Sequence, residues 1–324
     1  MTQAVTSATQ AARAARAAGE PGAAGQAAER AGYVVVSVPA TSANLGVGFD
    51  CLGMALDLRA NFGFLRSDHL EIYGCEERFR GEDNLVWTSY LTALAAMGVD
   101  PIPVRIDIDS PVPLAGGLGS SSTCVVAGVV AAQAMAGHPY DPAFTLDVAC
   151  GIEGHPDNVA PAILGGLVSS FMSDGEVFST HTSVSPDLRF VTVAPPYEVR
   201  TADARRVMPE EVPLKTCVWQ MGRCVATVQA LEKGDERLLA AACRDRLHEP
   251  YRKMLIADYE SLRATALDAG ACAFFISGSG STMVAVAKGA ERAGAVHDAL
   301  ALTRPNFWMR ILSATDEGAR IESA

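Results

Sequence analysis

Pro113-Leu-Ala-Gly-Gly-Leu-Gly-Ser-Ser-Ser122 follows the alternating strand pattern Val104–Ile108 and runs straight into an Ala/Val-rich helical pattern, Thr123 to about Ala136. Glycine lets backbone N–H groups approach a ligand closely, and a helix N-terminus adds partial positive charge. A strand, a glycine loop and a helix in that order therefore form a candidate phosphate cradle. Serines at the helix start cap it and offer hydroxyl oxygens to Mg²⁺. No Gly-Lys-Ser/Thr follows the glycines, so this is not a Walker A loop. Nor is there a Gly-x-Gly-x-x-Gly with an acidic residue some 20 positions on, which disfavours a Rossmann dinucleotide site. Taken alone, the segment also reads as a tight strand–helix turn with serine caps.

Working outward, the 324 residues suggest roughly two domains. Hydrophobic residues are 49% and charged residues 19%, enough apolar material for real cores and too much for bulk disorder. Net charge is 26 − 37 = −11. Such a surface repels nucleic acid, so no nucleic-acid partner is expected, and any anion site must be built locally from N–H groups and a few arginines. The 8 cysteines show no Cys-x-x-Cys and the 6 histidines no His-Glu-x-x-His, so neither a disulfide framework nor structural zinc is expected. Residues 1–32 are Ala/Gly/Gln/Arg-rich, lack a secretory apolar run, and read as a disordered N-terminal extension. No apolar run reaches membrane-spanning length, so a soluble, cytoplasmic protein is expected.

Cys51–Leu58 returns to apolar character, and strands are expected at Tyr33–Val38, Asn61–Leu65, His69–Tyr73, Val104–Ile108, Gly166–Phe171 and Arg189–Ala194. Helices are expected at Asn84–Met97, with Asp83 or Asn84 as cap, and at Pro142–Ile152. Beyond Pro195-Pro196, helices are expected at Ala202–Met208, Leu214–Ala230, Glu236–Ala242, Tyr251–Ala269 and Ala290–Leu302. Strands there are expected at Ala273–Ser277, Thr282–Ala287 and Asn306–Leu312. The prolines are the expected boundary between a domain 33–195 and a domain 196–324.

Three segments, Pro39–Gly53 (PATSANLGVGFDCLG), Pro113–Ser122 and Ser277–Val286 (SGSGSTMVAV), together resemble the GHMP kinase superfamily in order, spacing and context. The resemblance spans roughly Val34 to Leu312. Glu153–Gly166 (EGHPDNVAPAILGG), Thr201–Pro209 (TADARRVMP) and Asp245–Arg252 (DRLHEPYR) narrow it to the homoserine kinase family. The loop departs from the family's usual pattern at Ala115-Gly116 and Ser122-Thr123, and the third motif has Ser281 where many members carry proline.

The resemblance implies an α+β fold of two domains: a ribosomal protein S5 domain 2-like N-terminal ATP-binding domain and a ferredoxin-like C-terminal domain, with the site in the cleft between them. It implies ATP-dependent phosphorylation of the L-homoserine side-chain hydroxyl to O-phospho-L-homoserine, in threonine biosynthesis, and commonly a homodimer. Another GHMP small-molecule kinase, or a non-catalytic ligand sensor on the same fold, stays open at this point.

By the same resemblance the cradle is Pro113, Leu114, Ala115, Gly116, Gly117, Leu118, Gly119, Ser120, Ser121 and Ser122, and Ser121 and Glu153 hold Mg²⁺. Read alone, Glu153 is an ordinary helix-end carboxylate. Arg205 and Arg252 suit a substrate carboxylate, because a guanidinium grips it through two parallel hydrogen bonds; either also reads as a surface ion pair. Asn44 and Asp50 are implied to contact the hydroxyl and amino ends, and His155 the substrate. Asp157 is the formal match to the base of some relatives, with Asn158 as an alternative that orients the hydroxyl. Asn61 and the stretch 84–87 are implied near adenine.

Overall fold

The computed structural model describes residues 32–114 and 116–322. The expected N-terminal extension (apart from Gly32) and the cradle residue Ala115 lie outside the described residues. Two sheets organise the chain. The first holds seven strands, ordered β11-β1-β2-β4-β3, with a β5–β6 hairpin branching from β2. Its members are β1 (Tyr33–Ala43), β2 (Leu52–Arg66), β3 (Glu71–Tyr73), β4 (Val104–Asp109), β5 (Leu167–Ser173), β6 (Glu176–Thr182) and β11 (Arg320–Glu322). The second is β10 (Trp308–Leu312), β7 (Leu188–Ala194), β9 (Met283–Lys288) and β8 (Ala273–Ile276), in that order and antiparallel throughout.

In β1, Val34, Val36, Val38 and Ala40 alternate onto one buried face, and Phe62 and Phe64 of β2 are fully buried with them. Two helices cover that face, α1 (Leu85–Ala96) and α2 (Ser120–Met135). Tyr90 of α1 stacks on both Phe64 and Trp87, with ring centroids 5.9 and 5.5 Å apart. α2 is apolar on nearly every side because it is buried between the sheet and α1. Gly128 permits that packing: a Cβ there would sit 2.4 Å from the Val86 carbonyl oxygen. α3 (Pro142–Glu153) and α4 (Val159–Leu164) complete this layer, the first capped by Asp141.

The second sheet begins with β7 and continues through α5 (Thr201–Arg206), α6 (Leu214–Lys233), α7 (Glu236–Ala242), α8 (Glu249–Arg252) and α9 (Tyr259–Asp268) before β8 and β9. Then α10 (Ala290–Thr303) leads to β10. Its core strand order, fourth-first-third-second, is the ferredoxin-like β-α-β-β-α-β arrangement. That unit needs its first strand, so Leu188–Ala194 sits with the C-terminal strands. The boundary expected at Pro195 would have assigned it to the first domain. The chain end then returns: Arg320–Glu322 pairs with β1 of the first sheet.

Other departures are local. The apolar stretch Cys51–Leu58 and the strand expected at Asn61–Leu65 are one strand, because β2 keeps partners along its length: β1 and β5 at its start, β4 at its end. The single helix expected over Tyr251–Ala269 is α8, a 3₁₀ turn at Lys253–Leu255, and α9. β6, β11 and α4 were not expected: β6 is mostly exposed and polar, β11 is three residues, and α4 lies inside a glycine- and proline-rich motif.

Candidate active site

A cleft of about 790 Å³ collects the β1–β2 turn, the glycine loop, the α3–α4 junction, α5 and the β8–β9 loop. The three glycine- and serine-rich segments are hydrogen-bonded to one another around it. Thr282 N–H donates to the Gly116 carbonyl (2.7 Å), Ser277 Oγ to that of Gly117 (2.6 Å) and Thr41 N–H to that of Leu118 (3.1 Å). Gly278 N–H donates to Ala43 carbonyl (3.0 Å), and Ser42 Oγ meets Ser277 Oγ at 2.8 Å. These bonds occupy the loop's carbonyls from the protein side. The first-turn N–H groups of α2 have no intrahelical acceptor, the condition for an anion cradle.

Two glycines of the loop are required by shape. Gly117 has φ +86° and a Cβ there would lie 2.2 Å from the Ser277 carbonyl oxygen; Gly119 has φ +69° and its Cβ would lie 2.1 Å from Thr41 Oγ1. At the helix start, Ser121 Oγ donates to Glu153 Oε1 at 2.6 Å, bringing the first turn of α2 to the last residue of α3. A hydroxyl and a carboxylate oxygen side by side are hard donors, and the pair fits Mg²⁺ that keeps several waters.

The other end of the cleft is charged and ordered. Asp157, 2% exposed, accepts from or shares a proton with His155 Nδ1 at 2.5 Å. That hydrogen bond raises the imidazole's pKa above its ordinary value, and burial opposes it. Asp50, His155 and Asp157 each offer a ligand atom within 4.8 Å of the others, a group able to face a cation or an ammonium. Arg205 grips Asp50 through both terminal nitrogens, each at 3.2 Å. Arg205 is thus a half-exposed member of an ion pair, and it lines the cleft.

Arg252 is 3% exposed, donates from Nη1 to the Gly278 carbonyl (2.9 Å) and lies 4.8 Å over the Phe49 ring. Burial lowers its pKa from the usual arginine value, with Asp50 opposing. Asn44 is buried, donates to the same Gly278 carbonyl (2.8 Å) and accepts the Asp50 N–H (3.0 Å). Asn158 Oδ1 accepts from Thr41 Oγ1 (2.9 Å), which ties the α4 entrance to β1.

The cleft thus brings together Asn44, Asp50, Glu153, His155, Asp157, Asn158, Arg205 and Arg252 with Leu114, Gly116, Gly117 and Gly119–Ser122. Leu118 is instead fully buried in the core, and Pro113 and Asn61 do not line the cleft. Asn61 sits inside β2, opposite Ser37 and Asp109, where strand pairing holds it. Of the stretch 84–87, Asn84 and Leu85 reach the cleft while Val86 and Trp87 face the core. Asn84 Oδ1 caps α1 by accepting from the N–H of Val86 and Trp87. Sequence reasoning missed Cys75, Arg78, Phe79 and Ile108 at one end and Glu198–Thr201 at the other. A loop-borne cysteine or arginine carries no spacing signal, so only the fold assembles them.

Residues 84–166 match the family described as GHMP kinases N terminal domain, and residues 227–304 match GHMP kinases C terminal. Homoserine kinase of Thermus thermophilus is 42% identical over 79% of this chain and 87% of its own length. Homoserine kinase of Clostridium botulinum is 38% identical over 79% of this chain and 86% of its own. Among solved structures, homoserine kinase from Cytophaga hutchinsonii superposes with a TM-score of 0.82 at 30% identity, covering 90% of this chain and 98% of that one. With a ferredoxin-like second sheet, a glycine loop feeding α2 and relatives this similar over most of their length, the chain belongs to the homoserine kinase family of GHMP kinases.

Proposed function

We propose that the chain transfers the γ-phosphoryl group of ATP to the side-chain hydroxyl of L-homoserine, giving O-phospho-L-homoserine and ADP. The observation that carries this reading is one cleft holding a glycine cradle at one end and an amino-acid-shaped set of charges at the other. Asp50 suits the ammonium; Arg205 and Arg252 suit the carboxylate through bidentate hydrogen bonds. A zwitterionic substrate would part the Asp50–Arg205 pair and give each member a new partner, so little stability is lost on opening an exposed pair.

The hydroxyl oxygen forms the new bond to phosphorus while the bond from phosphorus to the β–γ bridging oxygen breaks, and the hydroxyl proton leaves. Gly117, Gly119 and the first turn of α2 hold the phosphates, and most of the acceleration comes from positioning and charge stabilisation. Ser121 and Glu153 would hold Mg²⁺, which neutralises charge on the phosphates when bound. Asp157 accepts the hydroxyl proton, with His155 fixing its carboxylate, while Asn158 orients the hydroxyl. The homodimer implied by the resemblance belongs to the same reading, and light scattering separates it from a single 33.9 kDa chain.

A coupled ADP-release assay with ATP, Mg²⁺ and each of L-homoserine, mevalonate, galactose and L-serine tests it. Turnover selective for L-homoserine is expected. A folded protein that binds ATP and turns over none of the four is a ligand sensor instead.

A further inference from the structure

The turn between β1 and β2 carries Asn44 at one end and Asp50 at the other, and its backbone is strained. Asn44, Leu45 and Asp50 hold positive φ values of 69°, 44° and 56°. Residues with a Cβ adopt that region at a cost, greatest here for Leu45 because asparagine and aspartate tolerate it better, so the conformation needs support from outside the turn. That support comes from far along the chain. The Leu45 carbonyl accepts from Cys243 Sγ (3.4 Å), the Gly46 carbonyl from His248 Nε2 (2.6 Å) and the Val47 carbonyl from Gln220 Nε2 (2.9 Å). Three consecutive carbonyls of the turn are thus each taken by a side chain of the C-terminal half.

One carboxylate aligns two of those donors. Asp245 Oδ2 accepts the N–H groups of Leu247, His248 and Glu249 at 2.7–2.9 Å, fixing the start of α8, and Asp245 Oδ1 accepts from Gln220 Nε2. His248 is 0% exposed; burial lowers its pKa, with the Asp245 carboxylate opposing, and the Gly46 carbonyl accepts from Nε2–H. The same ring stacks on Phe49, with centroids 5.3 Å apart and planes 24° from parallel. Phe49 is in turn the ring beneath the Arg252 guanidinium. Neither His248 nor Gln220 lines the cleft.

We infer that His248 and Gln220 are positioning residues for the amino-acid end of the site: their side-chain donors lock the Asn44–Asp50 turn, and His248 also seats the Phe49 shelf under Arg252. The clamp acts directly on Asn44, Asp50 and Arg252, whereas the glycine loop's own ties run to Thr41, Ser277 and Thr282, and the two sets meet at Gly278, whose carbonyl accepts from Asn44 and Arg252. Its signature is selective loss of acceptor binding, since displacements of about 1 Å cost on the order of 100-fold in a preorganised site.

The inference rests on the proposed amino-acid substrate, so wild-type turnover of L-homoserine is measured first; its absence removes that reading, whereas the variants below judge the clamp relative to wild type. His248→Phe keeps a ring against Phe49 and removes the donor. His248→Gln keeps a donor nitrogen at the same reach and removes the ring. His248→Phe is expected to raise KM for L-homoserine roughly 10- to 100-fold with KM for ATP within about twofold, and His248→Gln to recover most of that loss. Equal rises in both KM values, or KM values unchanged while only the melting temperature falls, overturn the inference. So does a His248→Gln variant no better than His248→Phe. Should His248→Phe not fold, Gln220→Leu is read identically: a rise confined to the homoserine KM supports the clamp, and wild-type KM values overturn it.

Discussion

The contact between Ser121 and Glu153 joins two residues that are 32 apart in sequence and end two different helices. Composition alone does not distinguish a helix-end glutamate in an acidic chain; the resemblance nominated Glu153, and the fold places its carboxylate 2.6 Å from the Ser121 hydroxyl. A glutamine in its place keeps the size and the hydrogen bond from Ser121 but withdraws the negative charge a divalent cation needs. Glu153→Gln is therefore expected to lower kcat with L-homoserine by about 100-fold or more, to raise the Mg²⁺ concentration giving half-maximal rate, and to leave the melting temperature within a few degrees. Steady-state rates across a Mg²⁺ titration decide it; an unchanged Mg²⁺ requirement removes Glu153 from the metal's ligands. Arg205 and Arg252 show the same limit of residue-level reading. Charge chemistry nominated both, but only the fold shows that one is paired with Asp50 in the open and the other is buried against Gly278.

At the scale of elements, legibility followed periodicity. α1, α2, β4 and β7 are long or regular enough that their apolar spacing located them within a few residues. The glycine loop was legible as a loop between a strand and a helix, since glycine, serine and the flanking patterns agree on that placement, and its Gly117 and Gly119 have positive φ and line the cleft. Asn61 was not, because a polar residue inside a strand has the same local signature whether it faces a ligand or only its neighbours. β7 joins the second sheet although it precedes the boundary expected at Pro195, because strand membership in one sheet or another depends on partners about 100 residues away, which no local pattern carries. Two glycines separate loop shape from mere flexibility. Gly119→Ala meets positive φ and the Thr41 hydroxyl, whereas Gly151, inside α3, has nothing within 4 Å of a new Cβ. Gly119→Ala is expected to weaken ATP binding at least tenfold and to lower the melting temperature. Gly151→Ala is expected to raise stability by about 0.5–1 kcal/mol, as alanine in a helix interior does. Urea unfolding and ATP titration of the two variants test this, and a Gly119→Ala protein with wild-type ATP affinity contradicts the shape argument.

Across the whole molecule, the C-terminal unit stands on a carboxyl that has little access to water. Glu249 is 7% exposed, accepts the Ile276 N–H (2.6 Å) and the Tyr259 hydroxyl (3.3 Å), and so ties α8 to β8 and α9. Burial pushes its pKa up to about 8; the Ile276 N–H and the tyrosine pull the other way without overcoming it. A free glutamate titrates near 4.3 in the unfolded chain. Because the folded value is raised, the folded protein holds a proton that the unfolded chain has already released between those two pH values. Stability from this group is therefore complete below about 4.3 and is lost as pH rises to about 8, by an amount on the order of a few kcal/mol. Glutamine can accept from Ile276 and meet the tyrosine without titrating. Glu249→Gln is thus expected to match wild type near pH 4 and to be the more stable protein near pH 9, the gap opening across pH 4 to 8. Urea unfolding at closely spaced pH values checks it. Parallel stability curves for the two proteins would mean that Glu249 is ionised in the fold throughout, with its two donors outweighing the cost of its burial.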